Sequence, residues 1–126
     1  MSKQIISTTK APSAIGTYSQ AVRVGNTIWV SGQIPLDPKT KELVGGGIEP
    51  QARQAFANLA SIVTAAQATL DDVVKVTIFL TDLSHFALVN SVMAEHFKEP
   101  YPARAAVGIA SLPRGAMIEV ECIVAL

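Results

Sequence analysis

Little of the usual catalytic material is present in this sequence. There is one cysteine, Cys122, and there are two histidines, His85 and His96. A single cysteine excludes an intrachain disulfide. The histidines stand eleven positions apart with no thiolate partner near them, so no metal cluster is visible. No Ser/His/Asp or Cys/His arrangement for nucleophilic catalysis is visible either. Charged residues make up only 16% of the chain, well under the usual share. Their signs balance to a formal net charge of zero, and the ten basic residues form no run. Nucleic-acid binders carry a basic patch or stripe, so composition argues against nucleic acid as a partner. No charged segment followed by an apolar stretch opens the chain, and no apolar run approaches the roughly eighteen residues of a membrane span. A soluble, cytoplasmic protein is the expectation.

What is abundant is apolar surface. Hydrophobic residues make up 49% of the 126 positions. That length suits one domain with one core, here taken as 1–126. A small domain this apolar has more surface to hide than one monomer comfortably buries, which points to a homo-oligomer.

The expected elements alternate. Lys3 to Ser7 is a short strand. Ala11 to Gln20 is a loop broken by Pro12 and Gly16. Ala21 to Val24 and Thr27 to Gly32 form a hairpin about Gly25-Asn26. A Pro- and Gly-rich loop follows. Apolar residues at three- and four-residue spacing (Ala52, Ala55, Phe56, Leu59, Ile62, Val63, Ala66) predict a helix from about Glu49 to Ala68, with Pro50 in its first turn. Asp72 to Leu80 is dense in β-branched residues and reads as a strand. A second helix starts near Ser84, the candidate N-cap, with Phe86, Val89, Met93 and Phe97 inward. Pro100 and Pro102 end it. Two strands close the chain, Ala103 to Ile109 and Met117 to Ala125. The result is an α+β fold, a five- to six-stranded sheet with two helices on one face. The other face needs a cover, and a second copy of the chain is the expected one.

Charges inside the last two strands are the odd feature. Side chains alternate along a strand. Ala103, Ala105, Val107 and Ile109 share one face, which suits the helix-covered core, leaving Arg104 on the other. Ile118, Val120, Cys122 and Val124 likewise leave Glu119 and Glu121 opposite. Parity therefore puts Arg104 and both glutamates on the helix-free face. Arg104 either pairs with a protein carboxylate or stands ready for a ligand carboxylate, which its planar fork can hold bidentately. Parity does not separate Glu119 from Glu121. Cys122 falls on the core set as a small hydrophobe, and His96 is placed to complement the second helix's dipole.

The segment "PARAAVGIASLPRGAMIEVE" (Pro102 to Glu121) resembles the signature of the RidA (YjgF) family of enamine/imine deaminases. "APSAIGTYSQAV", "VSGQIPLDPKT", "QARQAFANL" and "VTIFLTDLSHFALVN" resemble further family segments in the same order, so the likeness covers nearly the whole chain. The resemblance implies a chorismate-mutase-like homotrimer with three clefts between subunits. It implies hydrolysis of 2-aminoacrylate and related enamine/imine intermediates to 2-keto acids and ammonia, with no metal or organic cofactor. Carried over residue by residue, it implies that Arg104 grips the substrate carboxylate and that Glu119 orients or activates the attacking water. Tyr18, Ser31, Gly32, Asn90 and the backbone of Ala106 would bind substrate. Thr17 and His85 depart from the more usual proline and acidic residue.

Bland roles stay open for the same residues. Glu119 could salt-bridge across an interface, Tyr18 could be a packed rim aromatic, and Ser31 could satisfy a backbone group. Asn90 could cap a turn or bond across helices. A non-catalytic module that binds 2-keto acids as a signal is the alternative function. A ribonuclease or translation inhibitor is a third reading, opposed by the neutral charge and the missing basic patch.

Overall fold

The structure, a computed structural model, describes residues 2–126. Six strands form one mixed sheet: β1 (Gln4–Ile6), β2 (Ala21–Val24), β3 (Thr27–Gln33), β4 (Val73–Leu80), β5 (Ala103–Gly108) and β6 (Ile118–Ala125). Their spatial order is β1-β2-β3-β6-β4-β5. Helices α1 (Ile48–Ala65) and α2 (Phe86–His96) pack together on one face. All pairings are antiparallel except β4 with β5, whose parallel register follows from the crossover through α2. The β2–β3 turn turns on Gly25, whose φ of 59° is free of steric cost only for glycine.

The core lies between the sheet and the helices. Ile28, Val30, Val76, Ile78, Leu80, Ile118, Val120 and Val124 point into it from the strands. Ala55, Phe56, Leu59, Ile62 and Val63 meet them from α1, and Val89, Val92 and Met93 from α2. Alanines at 52 and 55 are fully buried and let α1 lie close to the sheet. Cys122 is buried in this layer, and burial pushes its thiol up to about 12. It behaves as the small hydrophobe expected.

Two helix ends differ from the sequence expectation. Helix α1 stops at Ala65, three residues early, because Gln67 takes a left-handed conformation with φ of 63°. The Gln67 amide donates to the carbonyl of Thr64 and the Ala68 amide to that of Val63, which closes a Schellman turn. No glycine marks the stop. Helix α2 is preceded by a 3-10 turn over Leu83–His85, capped by Asp82: its carboxylate accepts from the Ser84 amide at 2.9 Å. Ser84 is therefore inside the turn and is not the cap.

The face assigned to Arg104 is also corrected. In the parallel ladder Arg104 stands beside Val76, Ala106 beside Ile78 and Gly108 beside Leu80, and all three partners are core residues. Arg104 thus projects toward α2. Ala103, Ala105 and Val107 turn to the open face. The cause is close packing over the edge strand β5: a Cβ on Gly108 would lie 2.9 Å from the Leu83 side chain. The crowding is at the Gly108 end of that face, while Arg104 at the other end lies beside a cavity that accommodates its long side chain. Glu119 and Glu121 stand opposite Phe79 and Thr77 on the open face, as parity requires.

Candidate active site

The predicted site residues fall into two groups on opposite faces of the sheet. The first surrounds Arg104. Its guanidinium lies over the Phe86 ring, with Cζ 4.9 Å from the centroid. This cation–π contact engages the face of the guanidinium and leaves its N–H edges to hydrogen-bond partners. Nη1 donates to Asn90 Oδ1 at 2.6 Å and approaches Met93 Sδ at 3.7 Å. All three partners come from one face of α2, at positions i, i+4 and i+7, so two successive helix turns set the pose. Among the described residues Arg104 makes no salt bridge: the ion pairs are Arg53 with Glu49 and Glu95, and Lys98 with Asp71. A cavity of about 340 Å³ opens beside it, lined by Asn90, Met93, Ala94, Tyr101, Pro102 and Arg104. Ala106 lies two residues along the same face and packs against the core.

The second group surrounds Glu119. A cavity of about 450 Å³ is lined by Tyr18, Ser31, Gly32 and Glu119, with Pro12, Ile15, Pro113 and Arg114 among the rest. Half-burial raises the Glu119 pKa, and the nearby Glu121 carboxylate raises it further. Ser31 donates its hydroxyl to the Ser19 carbonyl at 2.5 Å, and its amide donates to the Gln20 carbonyl at 2.9 Å. Ser31 therefore ties β3 to the Tyr18 loop, the bland role considered for it. Tyr18 is half-exposed at the rim, and its phenolic oxygen accepts weakly from the Ile15 amide at 3.4 Å.

Several positioning residues carry no mark in the sequence. Gln20 is 3% exposed and knits the loop before β2: its carbonyl oxygen accepts from the Thr8 amide at 2.7 Å, and its amide group donates to the Pro12 carbonyl at 2.7 Å. Phe86 reads as a core aromatic in an apolar stripe, yet it is the platform for Arg104. Arg114 sits at the second cavity with a left-handed φ of 62°, an uncommon state for a non-glycine residue. Only the breakers Pro113 and Gly115 on either side hint at it. His96 lies in the last turn of α2, as expected, and its ring also stacks on Phe56 at 5.7 Å, where burial lowers its pKa.

The chemical content of the two groups is complementary. One offers a guanidinium with no carboxylate paired to it among the described residues, suited to a small carboxylate. The other offers a carboxylate with a raised pKa beside a phenol, suited to moving a proton.

Comparison with known proteins agrees across nearly the full length. The family model described as Endoribonuclease L-PSP matches residues 8–126. The chain is 50% identical over 124 residues to a 2-iminobutanoate/2-iminopropanoate deaminase of Dermatophagoides farinae, covering 98% of this chain and 97% of that protein. It is 47% identical over 121 residues to the Homo sapiens protein of the same name, covering 96% and 88%. Among solved structures it is similar to RidA from the Antarctic bacterium Psychrobacter sp. PAMC 21119, with a TM-score of 0.94, 53% identity and coverage of 98% and 99%. It is also similar to E. coli TdcF with bound serine, with a TM-score of 0.91, 40% identity and coverage of 98% and 98%.

Proposed function

Because this chain belongs to the Endoribonuclease L-PSP family, that of RidA and YjgF, we propose that it is a 2-iminobutanoate/2-iminopropanoate deaminase. It hydrolyses 2-aminoacrylate and related enamine/imine intermediates to 2-keto acids and ammonia. The whole chain serves as one domain of this kind. The observation that carries the reading is the Arg104 guanidinium, set over the Phe86 ring and bonded to Asn90 with no acid paired to it among the described residues.

Arg104 anchors the substrate carboxylate and so fixes the imine carbon. That carbon is already electrophilic once its nitrogen is protonated, so water needs orientation more than strong activation. Glu119 takes a proton from the incoming water as general base. The carbinolamine then expels ammonia, leaving the keto acid. Tyr18, Ser31, Gly32 and the Ala106 backbone shape the pocket, and Asn90 works through Arg104. Serine bound to TdcF is a ligand of the matching size and chemistry.

Arg104 and Glu119 lie on opposite faces of one sheet, so one chain supplies both groups to different clefts. A homotrimer resolves this, with each cleft taking Arg104 from one protomer and Glu119 from the next. The open face supports such an assembly: Ile5, Trp29 and Val107 are 52%, 47% and 39% exposed there. No helix among the described residues is long and apolar enough to cross a membrane. The cytoplasm, beside the pyridoxal-phosphate enzymes that release these imines, is the place the reading assigns.

The test is release of keto acid and ammonia from freshly generated 2-aminoacrylate. Wild type should accelerate it, and Arg104→Ala should lose about 10²-fold or more in kcat/KM with unchanged circular dichroism. Tight binding of a 2-keto acid without turnover would overturn the reading in favour of the regulatory module.

A further inference from the structure

Gly32 sits where β3 loses register with β6. Val30 stands opposite Cys122, whereas Gln33 stands opposite Val120. Ser31 and Gly32 therefore occupy a step that Glu121 alone spans on β6, which is a β-bulge. Bulges re-aim side chains, and here the neighbour that benefits is Glu119. A Cβ built on Gly32 would lie 2.6 Å from Glu119 Oε2, 2.7 Å from Cδ and 3.1 Å from Cγ. The other close approaches to glycines are of a different kind, a proline ring at Gly46 and a leucine at Gly108.

Backbone conformation does not explain the glycine. The glycines with positive φ are Gly25, Gly46, Gly47 and Gly115, and Gly32 is not among them. No left-handed φ calls for glycine there, and what a Cβ would meet is the carboxylate end of Glu119, a flexible group that would have to move aside. Hydrogen bonds do not fix that carboxylate either. Among the described residues no side-chain hydrogen bond or salt bridge reaches Glu119, while Ser31, on the same bulge, is held by the Ser19 carbonyl.

We propose that Gly32 is a positioning residue, the bare seat that sets the pose of the Glu119 carboxylate toward the attacking water. The proposal rests on Glu119 acting as the base. In Gly32→Ala the new methyl group would displace the carboxylate, while Arg104 would still bind substrate.

A double-mutant cycle with freshly generated 2-aminoacrylate tests this on the purified full-length protein. Gly32→Ala should lower kcat by about 10²-fold with KM changed far less. The same substitution placed on Glu119→Gln should cost nothing further, because the group it displaces no longer acts. Placed on Glu119→Asp, whose carboxylate is retracted by one methylene, it should again cost little. Should Gly32→Ala alone fail to fold, recovery of the fold in Gly32→Ala/Glu119→Asp supports the same collision. Wild-type kcat in Gly32→Ala, or an equal loss on both the wild-type and Glu119→Gln backgrounds, overturns the proposal. Wild-type kcat in Glu119→Gln itself would instead remove Glu119 as base, a separate failure.

Discussion

Glu119 and Glu121 share one strand face two positions apart, and that spacing adds to the effect of burial on how Glu119 titrates. Burial raises the Glu119 pKa first, and the Glu121 charge adds to it. A general base works only when ionised, so activity should fall as pH drops through this raised pKa. Glu121→Gln removes the like charge and leaves the burial. The acid limb of the kcat/KM profile should therefore move to lower pH, and a pH–rate series on the two proteins checks it. Stability runs the other way. A carboxyl group whose folded pKa lies above its unfolded value favours folding below the unfolded pKa, and that contribution is lost as pH rises through the folded one. The ionised state that serves the reaction is thus the state that folding favours less. Both charges were legible in the sequence because they interrupt apolar strands. Phe86, Gln20 and Arg114 were not, because a platform, a loop staple and a left-handed arginine carry no distinctive residue pattern.

Among the elements, periodicity located every strand and both helices, since burial on one face imposes a repeat of two or about 3.6 residues. It failed where local geometry outweighs the pattern. On β5 the more apolar set is outermost, because α2 and the Leu83 turn lie close above Gly108 and Ala106. Apolar character does not reveal which face is the crowded one. At the end of α1 the stop is made by Gln67 in a conformation that usually selects glycine. A left-handed L-residue costs on the order of 1–2 kcal/mol. Glycine loses part of that gain to its greater unfolded freedom. Gln67→Gly should therefore stabilise the fold by up to about 1 kcal/mol. Thermal or urea unfolding measures the change, and deaminase activity should be unaffected because Gln67 borders neither cavity.

On the scale of the whole molecule, the chain carries two separate cavities, one at Arg104 and one at Glu119, and an open sheet face with exposed apolar residues. The low charge and high apolar content pointed to self-association. What the sequence could not reveal was that Arg104 and Glu119 lie on opposite sides of one sheet, since that depends on the β4–β5 register. If each cleft draws Arg104 from one protomer and Glu119 from its neighbour, two inactive variants can repair one another. Arg104→Ala retains a sound Glu119, and Glu119→Gln retains a sound Arg104. Refolded together in equal amounts and assembling at random, they should give intact clefts at about a quarter of all interfaces. Keto-acid release should rise from near zero for either variant alone to about a quarter of the wild-type value. Equal refolding of each variant by itself supplies the baseline. A site built within one chain has no route to recovery, because neither protomer then holds both groups, so a mixture as inactive as its components would exclude the shared cleft.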